Sequence, residues 1–207
     1  MDKSNDPVYS AHVVEFVAVA NEFCKYMEHA SEINGHELLN ILQRLLPLLY
    51  LKASMLPEFS PFFEDGNEKF VTEQDWQRIN YNLGKIFGSA DDYLEIPGGN
   101  AGEADGPAVA SLSENMADIY QDMKNFLLLY QTGTNEVMND AVWECRLNFE
   151  EYWGQKLVNA LKAIHFFNYS GKEIMEAGEQ DEDSLPEDDR SDWFISKRQK
   201  EFRKGNA

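Results

Sequence analysis

Hydrophobic residues recur every three or four positions along most of the chain, which is the spacing of one face of an α-helix. Proline, glycine and asparagine interrupt this pattern at intervals and mark where one helix ends and the next begins. No alternation of polar and apolar residues is long enough to indicate a β-strand. The pattern predicts an all-α fold, an irregular bundle of five or six helices, with helices over about residues 8–31, 36–57, 72–87, 111–132 and 134–167.

The second predicted helix carries leucine on every side and reads LLNILQRLLPLLYLKASMLP over residues 38–57. A helix that is apolar all round must be covered on all sides by other helices or by a membrane, and Gln43, Arg44 and Lys52 exclude the membrane. We therefore expect this helix at the centre of the bundle, with Pro47 kinking it or splitting it in two. One continuous core is expected to contain Leu42, Leu45, Leu46, Leu49 and Trp153.

The last predicted helix is the longest, and two apolar stripes along it indicate neighbours on two sides. Gly154 lies in its middle, where glycine costs about 1 kcal/mol relative to alanine. This position predicts a close helix crossing or a bend.

Charge divides the chain into three regions. The sequence has 18 basic and 37 acidic residues, a formal net charge of −19. Residues 173–192 hold ten acidic side chains against Arg190 alone, whereas residues 193–207 hold five basic side chains against Glu201. We predict a helical bundle domain over residues 1–172, an acidic tether over 173–192 and a short basic amphipathic segment over 193–207.

The basic segment combines lysine and arginine with large apolar residues at helical spacing. Such a segment is typical of an element that docks on an acidic surface. We expect it to contact the acidic body or an acidic partner, through Trp193, Phe194, Ile195 and Phe202.

No catalytic or metal-binding motif is present. Di-iron bundles need two Glu-x-x-His pairs, and none of the four histidines follows a glutamate at that spacing. A row of like charges at four-residue spacing is formed by Glu136, Asp140 and Glu144. We expect this row to be a solvated helix face rather than a site for a divalent cation or a basic partner surface. Asp118 and Asp122 are expected to be a solvated surface pair. We predict no bound metal, and Glu136, Asp140 and Glu144 are only weak candidate ligands. We assign no catalytic residues.

No cofactor is predicted either. The glycine-rich run PGGNAGEADGP, residues 97–107, lacks the Gly-Lys-Ser/Thr of a phosphate loop, and its Glu103 and Asp105 would repel phosphate. The acidic charge also argues against nucleic acid as a partner. The N-terminus, MDKSNDPVYS, does not resemble a signal peptide, and Cys24 and Cys145 lie within apolar helical patterns, so we expect a cytoplasmic protein with free, buried thiols.

Two strings, HVVEFVAVANEFCKYMEH at residues 12–29 and LLPLLYLKASMLP at residues 45–57, resemble a family of bacterial proteins, the domain of unknown function 5063. The resemblance extends through the bundle to about Phe167. It implies a helical, cytoplasmic, bacterial protein, and it implies no activity, ligand or site residue.

Three functions are consistent with these observations. The leading hypothesis is a non-enzymatic acidic module that binds a protein partner, and the partner is expected to have a basic surface. The alternative is an enzyme of unrecognised type, for which metal assistance through helix carboxylates such as Glu136, Asp140 and Glu144 is one possible mechanism. A third reading is an acidic decoy that mimics nucleic acid. A carboxylate cluster in a cleft would favour the enzyme, a dispersed acidic face the module, and regular phosphate-like spacing the decoy.

Overall fold

The structure, a computed structural model, describes residues 6–63, 66–95 and 108–175. Within these ranges the protein is an all-α bundle with one small antiparallel sheet, which confirms the predicted fold class. The predicted basic segment, with Trp193, Phe194, Ile195 and Phe202, lies outside the described residues, as do the glycine-rich run and most of the acidic tether. The elements are α1 (Ala11–Glu28), α2 (Gly35–Ser54), α3 (Glu73–Phe87), β1 (Asp92–Glu95), β2 (Ala108–Ser111), α4 (Leu112–Tyr130), α5 (Asn135–Asn148) and α6 (Gly154–Tyr169).

Side-chain caps explain where several helices begin. The Asn34 side chain accepts a hydrogen bond from the backbone N–H of Glu37 at the start of α2. Thr72 and Asp75 form a capping box at the start of α3. Each cap satisfies a backbone donor that the first turn of a helix leaves without a partner.

The most enclosed helix is α4, which packs against α1, α3, α5 and α6. The leucine-rich α2 packs mainly against α1 and α6. Leu48 and Leu51 of α2 are 41% and 51% exposed, so the expectation that α2 is covered on all sides is wrong. A single apolar face is enough to hold a helix on a bundle. The helix is not split, because it continues through Pro47, which lies on its exposed side.

One hydrophobic core connects the helices. It contains Leu42, Leu45, Leu46, Leu49 and Trp153, as predicted. Trp153 is fully buried, and its indole N–H donates to the backbone carbonyl of Cys145 over 3.2 Å. Both cysteines are free and buried, which also agrees with the sequence.

The long helix predicted near the C-terminal end is interrupted. A single π-helical turn, Phe149–Trp153, separates α5 from α6, and the backbone N–H of Gly154 donates to the carbonyl of Phe149. A β-carbon at Gly154 would lie 2.4 Å from that carbonyl oxygen. Gly154 therefore permits the wider π turn, a role that apolar periodicity alone does not reveal.

The small sheet was missed by sequence reasoning. β1 and β2 pair antiparallel, with Asp92 opposite Ser111 and Glu95 opposite Ala108. Each strand has four residues, which is too short for an alternating pattern to stand out. The Asp91 carboxylate holds the sheet to α4 by accepting a hydrogen bond of 2.7 Å from the Ser113 backbone N–H.

Candidate functional site

The segment between α2 and α3 is the candidate site, and its described residues, 56–63 and 66–71, are called the aromatic loop below. Its first half is fixed by Asp140 of α5, which is only 2% exposed. One carboxylate oxygen of Asp140 accepts a hydrogen bond of 2.7 Å from the Phe62 N–H, and the other accepts one of 2.9 Å from the Phe63 N–H. A buried carboxylate thus takes the place of a backbone partner for two consecutive loop amides.

Neighbouring polar side chains reinforce this anchor. Asn139 donates to the carbonyl of Ser60 over 2.8 Å. The Asn67 amide donates both to the carbonyl of Asp140 and to the carboxylate of Glu144. The ammonium of Lys69 lies 2.7 Å from the same Glu144 carboxylate.

The end of the aromatic loop is held by α4. Asn125 is buried, and its side-chain oxygen accepts hydrogen bonds from the N–H groups of Phe70 and Val71 over 2.8 and 3.0 Å. The start is held by Arg146 of α5, which donates to the carbonyl of Leu56 over 3.0 Å. The described backbone of the loop is therefore fixed at its beginning, middle and end.

Three of the four phenylalanines in the loop are exposed to solvent, Phe62 by 64%, Phe63 by 51% and Phe70 by 37%. The fourth, Phe59, is partly buried and packs against the core. A rigid backbone that presents neighbouring phenylalanines to solvent has no evident role in stabilising the bundle, because exposed rings bury little apolar area.

The loop and the neighbouring α5 carry exposed acidic residues, Glu58, Glu68 and Glu136. Two basic side chains that contact the loop are paired with carboxylates: Lys69 with Glu144, and Arg146 with Glu58 and Glu150. The aromatic loop is thus an apolar surface in an acidic setting.

The predicted carboxylate row has a different role from the one expected. Asp140 and Glu144 do not form a solvated face, because the aromatic loop covers them and supplies the partners that offset their like charge. Glu136, one turn earlier, is exposed. Among the described residues, no group of three or more histidine, cysteine, aspartate or glutamate side chains is arranged to hold a metal ion.

Asp118 and Asp122 are also not the solvated pair that the sequence suggested. They lie on α4, which other helices enclose. One Asp118 oxygen accepts from the Trp76 indole N–H, and the other accepts from the Tyr152 hydroxyl, each over 2.8 Å. The ammonium of Lys156 lies 2.8 Å from the second oxygen. These four side chains tie α3, α4, the π turn and α6 together.

This Asp118 cluster lacks an activated group. Burial raises the pKa of Tyr152, and the Asp118 carboxylate that accepts its hydrogen bond raises it further. The hydroxyl therefore stays protonated at neutral pH and is a poor base or nucleophile. π turns often occur at functional sites, but here the turn serves the packing of α6 against α4.

Asp122 borders a small cavity on the inner side of the aromatic loop. The cavity has a volume of about 10 Å³, with Lys69, Glu144 and Asn148 among the residues that line it. A space of this size holds about one water molecule. Burial raises the pKa of Asp122 to about 6, although the Asn148 amide donates to the carboxylate over 2.8 Å and opposes that rise.

Sequence reasoning did not single out Phe62 or Phe63. Their signal is local, since the run PFFEDG combines paired aromatic residues with a proline, two acidic residues and a glycine between two helical patterns. Aromatic residues in a polar loop are unusual, because most are needed in the core.

Comparison of the sequence with known protein families identifies one that matches. The sequence profile described as "Domain of unknown function (DUF5063)" matches residues 7–170. The chain belongs to this family. The matched range contains every helix and strand of the described residues, which confirms the resemblance inferred from the two helical strings. The C-terminal residues from 171 onward lie outside it.

A solved relative has the same fold. The chain is similar to protein BF1032 from Bacteroides fragilis, at 40% sequence identity and a TM-score of 0.72. The similarity covers 82% of this chain and 99% of that one, so the bundle makes up nearly all of the relative. No curated protein matches the chain. Among the described residues, no helix is both long enough and apolar enough to span a bilayer.

Proposed function

We propose that the protein is a non-enzymatic interaction module of the cytoplasm and that the aromatic loop is its docking site for a protein partner with a basic surface. The observation that carries the proposal is the pairing of exposed Phe62 and Phe63 with a backbone fixed by buried Asp140. An ordered loop loses little conformational freedom on binding, so most of the contact energy of the two rings contributes to affinity.

The aromatic character of the loop supports the same role. Binding energy at protein interfaces concentrates in a few large side chains that become desolvated, and aromatic residues are enriched among them. The adjacent, exposed Phe62 and Phe63 are side chains of this kind.

Charge supports the choice of partner. The protein carries a formal net charge of −19, and Glu58 and Glu68 of the aromatic loop are both exposed, with Glu58 paired to Arg146. Complementary charge accelerates encounter and disfavours acidic competitors. A basic surface with apolar residues at its centre matches both features.

The alternative of a metal-assisted enzyme has weaker support. Its proposed ligands Asp140 and Glu144 already accept hydrogen bonds or ion pairs from the aromatic loop. Opening that site to a cation would remove the anchors of the loop.

The proposal is tested with a double variant, Phe62→Ser with Phe63→Ser. The tagged protein is cross-linked in lysate of its native cells, bound proteins are identified, and the best candidate is purified for titration against wild type and variants. We expect a partner with a basic surface, whose affinity falls by about tenfold or more in the double variant, as for the loss of an aromatic anchor.

Phe166→Ser is the matched control, because Phe166 is 67% exposed and lies on α6 outside the loop. It should leave binding unchanged. Thermal unfolding should be the same for all three proteins, since only exposed rings are removed. Partners bound equally by wild type and by the double variant would refute the aromatic loop as the docking site.

A further inference from the structure

We propose that the exposed sides of α2 and α6 form a docking surface for an acidic amphipathic helix of a protein partner. This surface is called the α2–α6 face below. Its residues are not those of the aromatic loop, and its ligand has the opposite charge. The inference therefore goes beyond the proposed function and does not depend on it.

Beyond the first turn of α2, the sequences of these two helices contain no acidic residue. Residues 38–57 and 152–172 hold none of the 37 acidic residues of the chain, but they hold five of its 18 basic residues. They form nearly all of α2 and all of α6. In a protein with a formal net charge of −19, the two helices are thus an exception.

Not all of this positive charge is available to a ligand. Lys52 and Lys156 each pair with a carboxylate of a neighbouring helix, over 2.7 and 2.8 Å. Lys172 is followed directly by an acidic residue in the sequence. Arg44 and Lys162 are exposed, and no carboxylate among the described residues forms an ion pair with either of them. Arg44 and Lys162 are therefore the charges that an acidic ligand can neutralise.

Each helix also carries three exposed apolar side chains in the same stripe as its free charge. On α2 they follow Arg44 at four, seven and eleven positions, and on α6 they include Lys162 within an eleven-residue interval, which is the spacing of one side of a helix. The exposed apolar residues are Leu48, Leu51 and Met55 on α2, and Val158, Phe166 and Tyr169 on α6. Exposed apolar side chains grouped in this way mark an interaction surface.

The two stripes belong to helices that pack side by side and run in opposite directions. The Gln43 amide donates to the Tyr169 hydroxyl over 3.1 Å, and the Asn168 amide donates to the Gln43 side-chain oxygen over 2.6 Å. Towards the other end of α2, the Tyr50 ring packs against Phe149, which precedes α6, with centroids 5.0 Å apart. Each stripe is about 16 Å long, or three turns, so the stripes match in length.

A third helix is the ligand that this arrangement favours. Helices in bundles pack an apolar stripe against two neighbours, and an amphipathic peptide helix binds an exposed apolar helix face in the same way. Acidic side chains beside the apolar stripe of the ligand would pair with Arg44 and Lys162.

Other occupants fit the α2–α6 face less well. A second copy of the chain would bring the same face to a two-fold interface, so that like charges meet. An anionic bilayer extends beyond the face and would also meet the acidic residues of neighbouring elements. A short helix stays on the face, and charges farther away than about 8 Å are largely screened at physiological salt.

The probe is a labelled synthetic peptide of about 18 residues, with leucine at helical spacing along one side and glutamate at the other positions. It is titrated into the full chain, with fluorescence anisotropy as the readout. We expect saturable binding with a dissociation constant below about 100 µM. Binding should weaken as salt rises from about 0.1 M to about 1 M, because the Debye length falls from about 10 Å to about 3 Å. A scrambled peptide of the same composition, whose leucines share no side, should not bind.

Charge reversal tests the two free basic residues. Arg44→Glu combined with Lys162→Glu should weaken peptide binding by about tenfold or more. Lys85→Glu combined with wild-type residues elsewhere is the matched control, because Lys85 is exposed and lies on α3. It should leave the affinity unchanged.

Removal of apolar side chains tests both helices at once. Leu51→Ser combined with Phe166→Ser takes one exposed side chain from each helix and should also weaken binding by about tenfold or more. Phe62→Ser combined with Phe63→Ser, on the aromatic loop, should have no effect. Thermal unfolding of each variant shows whether it remains folded, and the charge variants give an independent test if the apolar variant does not.

Several outcomes would overturn the inference. They are absence of saturable binding up to about 1 mM peptide, equal binding of the scrambled peptide, and equal affinity of wild type and the Arg44→Glu/Lys162→Glu variant. Vesicles containing phosphatidylglycerol and sizing of the chain alone test the other occupants. Sedimentation with vesicles that depends on Arg44 and Lys162, or a dimer that Leu51→Ser dissociates, would assign the α2–α6 face to a bilayer or to a second copy instead.

Discussion

Asp140 determines the conformation of a loop that precedes it by 78 residues in the sequence. Its carboxylate is buried, but the N–H groups of Phe62 and Phe63 and the Asn139 amide supply hydrogen bonds to it. Burial of a charged group is tolerated when such bonds replace those to water. A residue that reads as part of an acidic row in the sequence is therefore the main support of the candidate site.

Asp140→Asn should destabilise the protein by about 1–3 kcal/mol, because an amide N–H₂ would face a loop N–H that now has no acceptor. Urea unfolding measures this change, and hydrogen exchange at Phe62 and Phe63 should become faster. Glu136→Gln, one turn away and exposed, is the control and should stay within about 0.5 kcal/mol of wild type. Equal losses in the two variants would show that the anchor is not specific.

Asp122 makes stability depend on pH. Its pKa is raised from 3.8 to about 6, mainly by burial. Between these values the folded protein keeps a proton that the unfolded chain releases, so the free energy of unfolding falls as pH rises through this window. Asp122→Asn should stabilise the protein by about 1–3 kcal/mol at neutral pH. The gain should disappear below about pH 3, where the Asp122 carboxyl group is protonated in both the folded and the unfolded state.

Urea unfolding of both proteins at the two pH values measures this difference. A carbon-13 titration of the carboxyl groups provides the internal control, since hydrogen bonds from Thr72 lower the pKa of Asp75 below the ordinary value. The midpoint of Asp122 should lie above the usual range for aspartate, and that of Asp75 should lie below it. A midpoint for Asp122 near 4 would contradict the expected desolvation.

At the scale of whole elements, α2 has two faces of similar composition but different environments. Leu46 is fully buried in the core, whereas Leu51 is 51% exposed. Leu46→Ala should destabilise the protein by about 2–5 kcal/mol, because it removes buried methyl groups and leaves a cavity. Leu51→Ala on the same helix should change stability by about 0.5 kcal/mol or less. Chemical denaturation compares them, and similar losses would mean that both faces are packed.

Gly154 and Gly84 are both helical glycines, but their surroundings differ. A β-carbon at Gly84 would meet its nearest atom, the Ser113 hydroxyl oxygen, at 3.5 Å, which is an ordinary contact. Gly84→Ala should stabilise α3 by up to about 1 kcal/mol, the usual helix preference. At Gly154 a β-carbon would clash with the Phe149 carbonyl oxygen, so Gly154→Ala should destabilise the protein by about 1–3 kcal/mol. Opposite signs in thermal unfolding are expected, and stabilisation by both would argue against the π turn.

At the scale of the whole molecule, apolar periodicity was enough to predict the bundle and the core around Leu46 and Trp153. These features depend on short-range spacing. Three other features depend on which helices become neighbours: the exposed side of α2, the π turn and the burial of Asp118. The spacing of residues along one helix does not specify its neighbours. The candidate site was missed for the same reason, since Asp140 and Phe62 meet only after α5 packs beside the aromatic loop.

Net charge gives a prediction for the complete chain. With a formal charge of −19, repulsion between like charges opposes compactness, and the ion pairs of the described residues are partly exposed and weak. Raising sodium chloride should therefore raise the melting temperature at neutral pH by a few degrees, equivalent to about 1 kcal/mol. Near pH 4.5, the isoelectric point of the sequence, the same salt should have little effect. A lower melting temperature in salt at neutral pH would mean that ion pairs dominate.

The long separation between Asp140 and the aromatic loop also determines when the surface appears during folding. A contact between residues 78 positions apart closes a large loop of chain, which delays it relative to helix formation within α1, α2 or α3. A chain emerging from the ribosome carries Phe62 and Phe63 before Asp140 has been synthesised, so the two rings have no fixed arrangement at that stage. Recognition through the aromatic loop would thus distinguish the completed bundle from a nascent or partly unfolded chain.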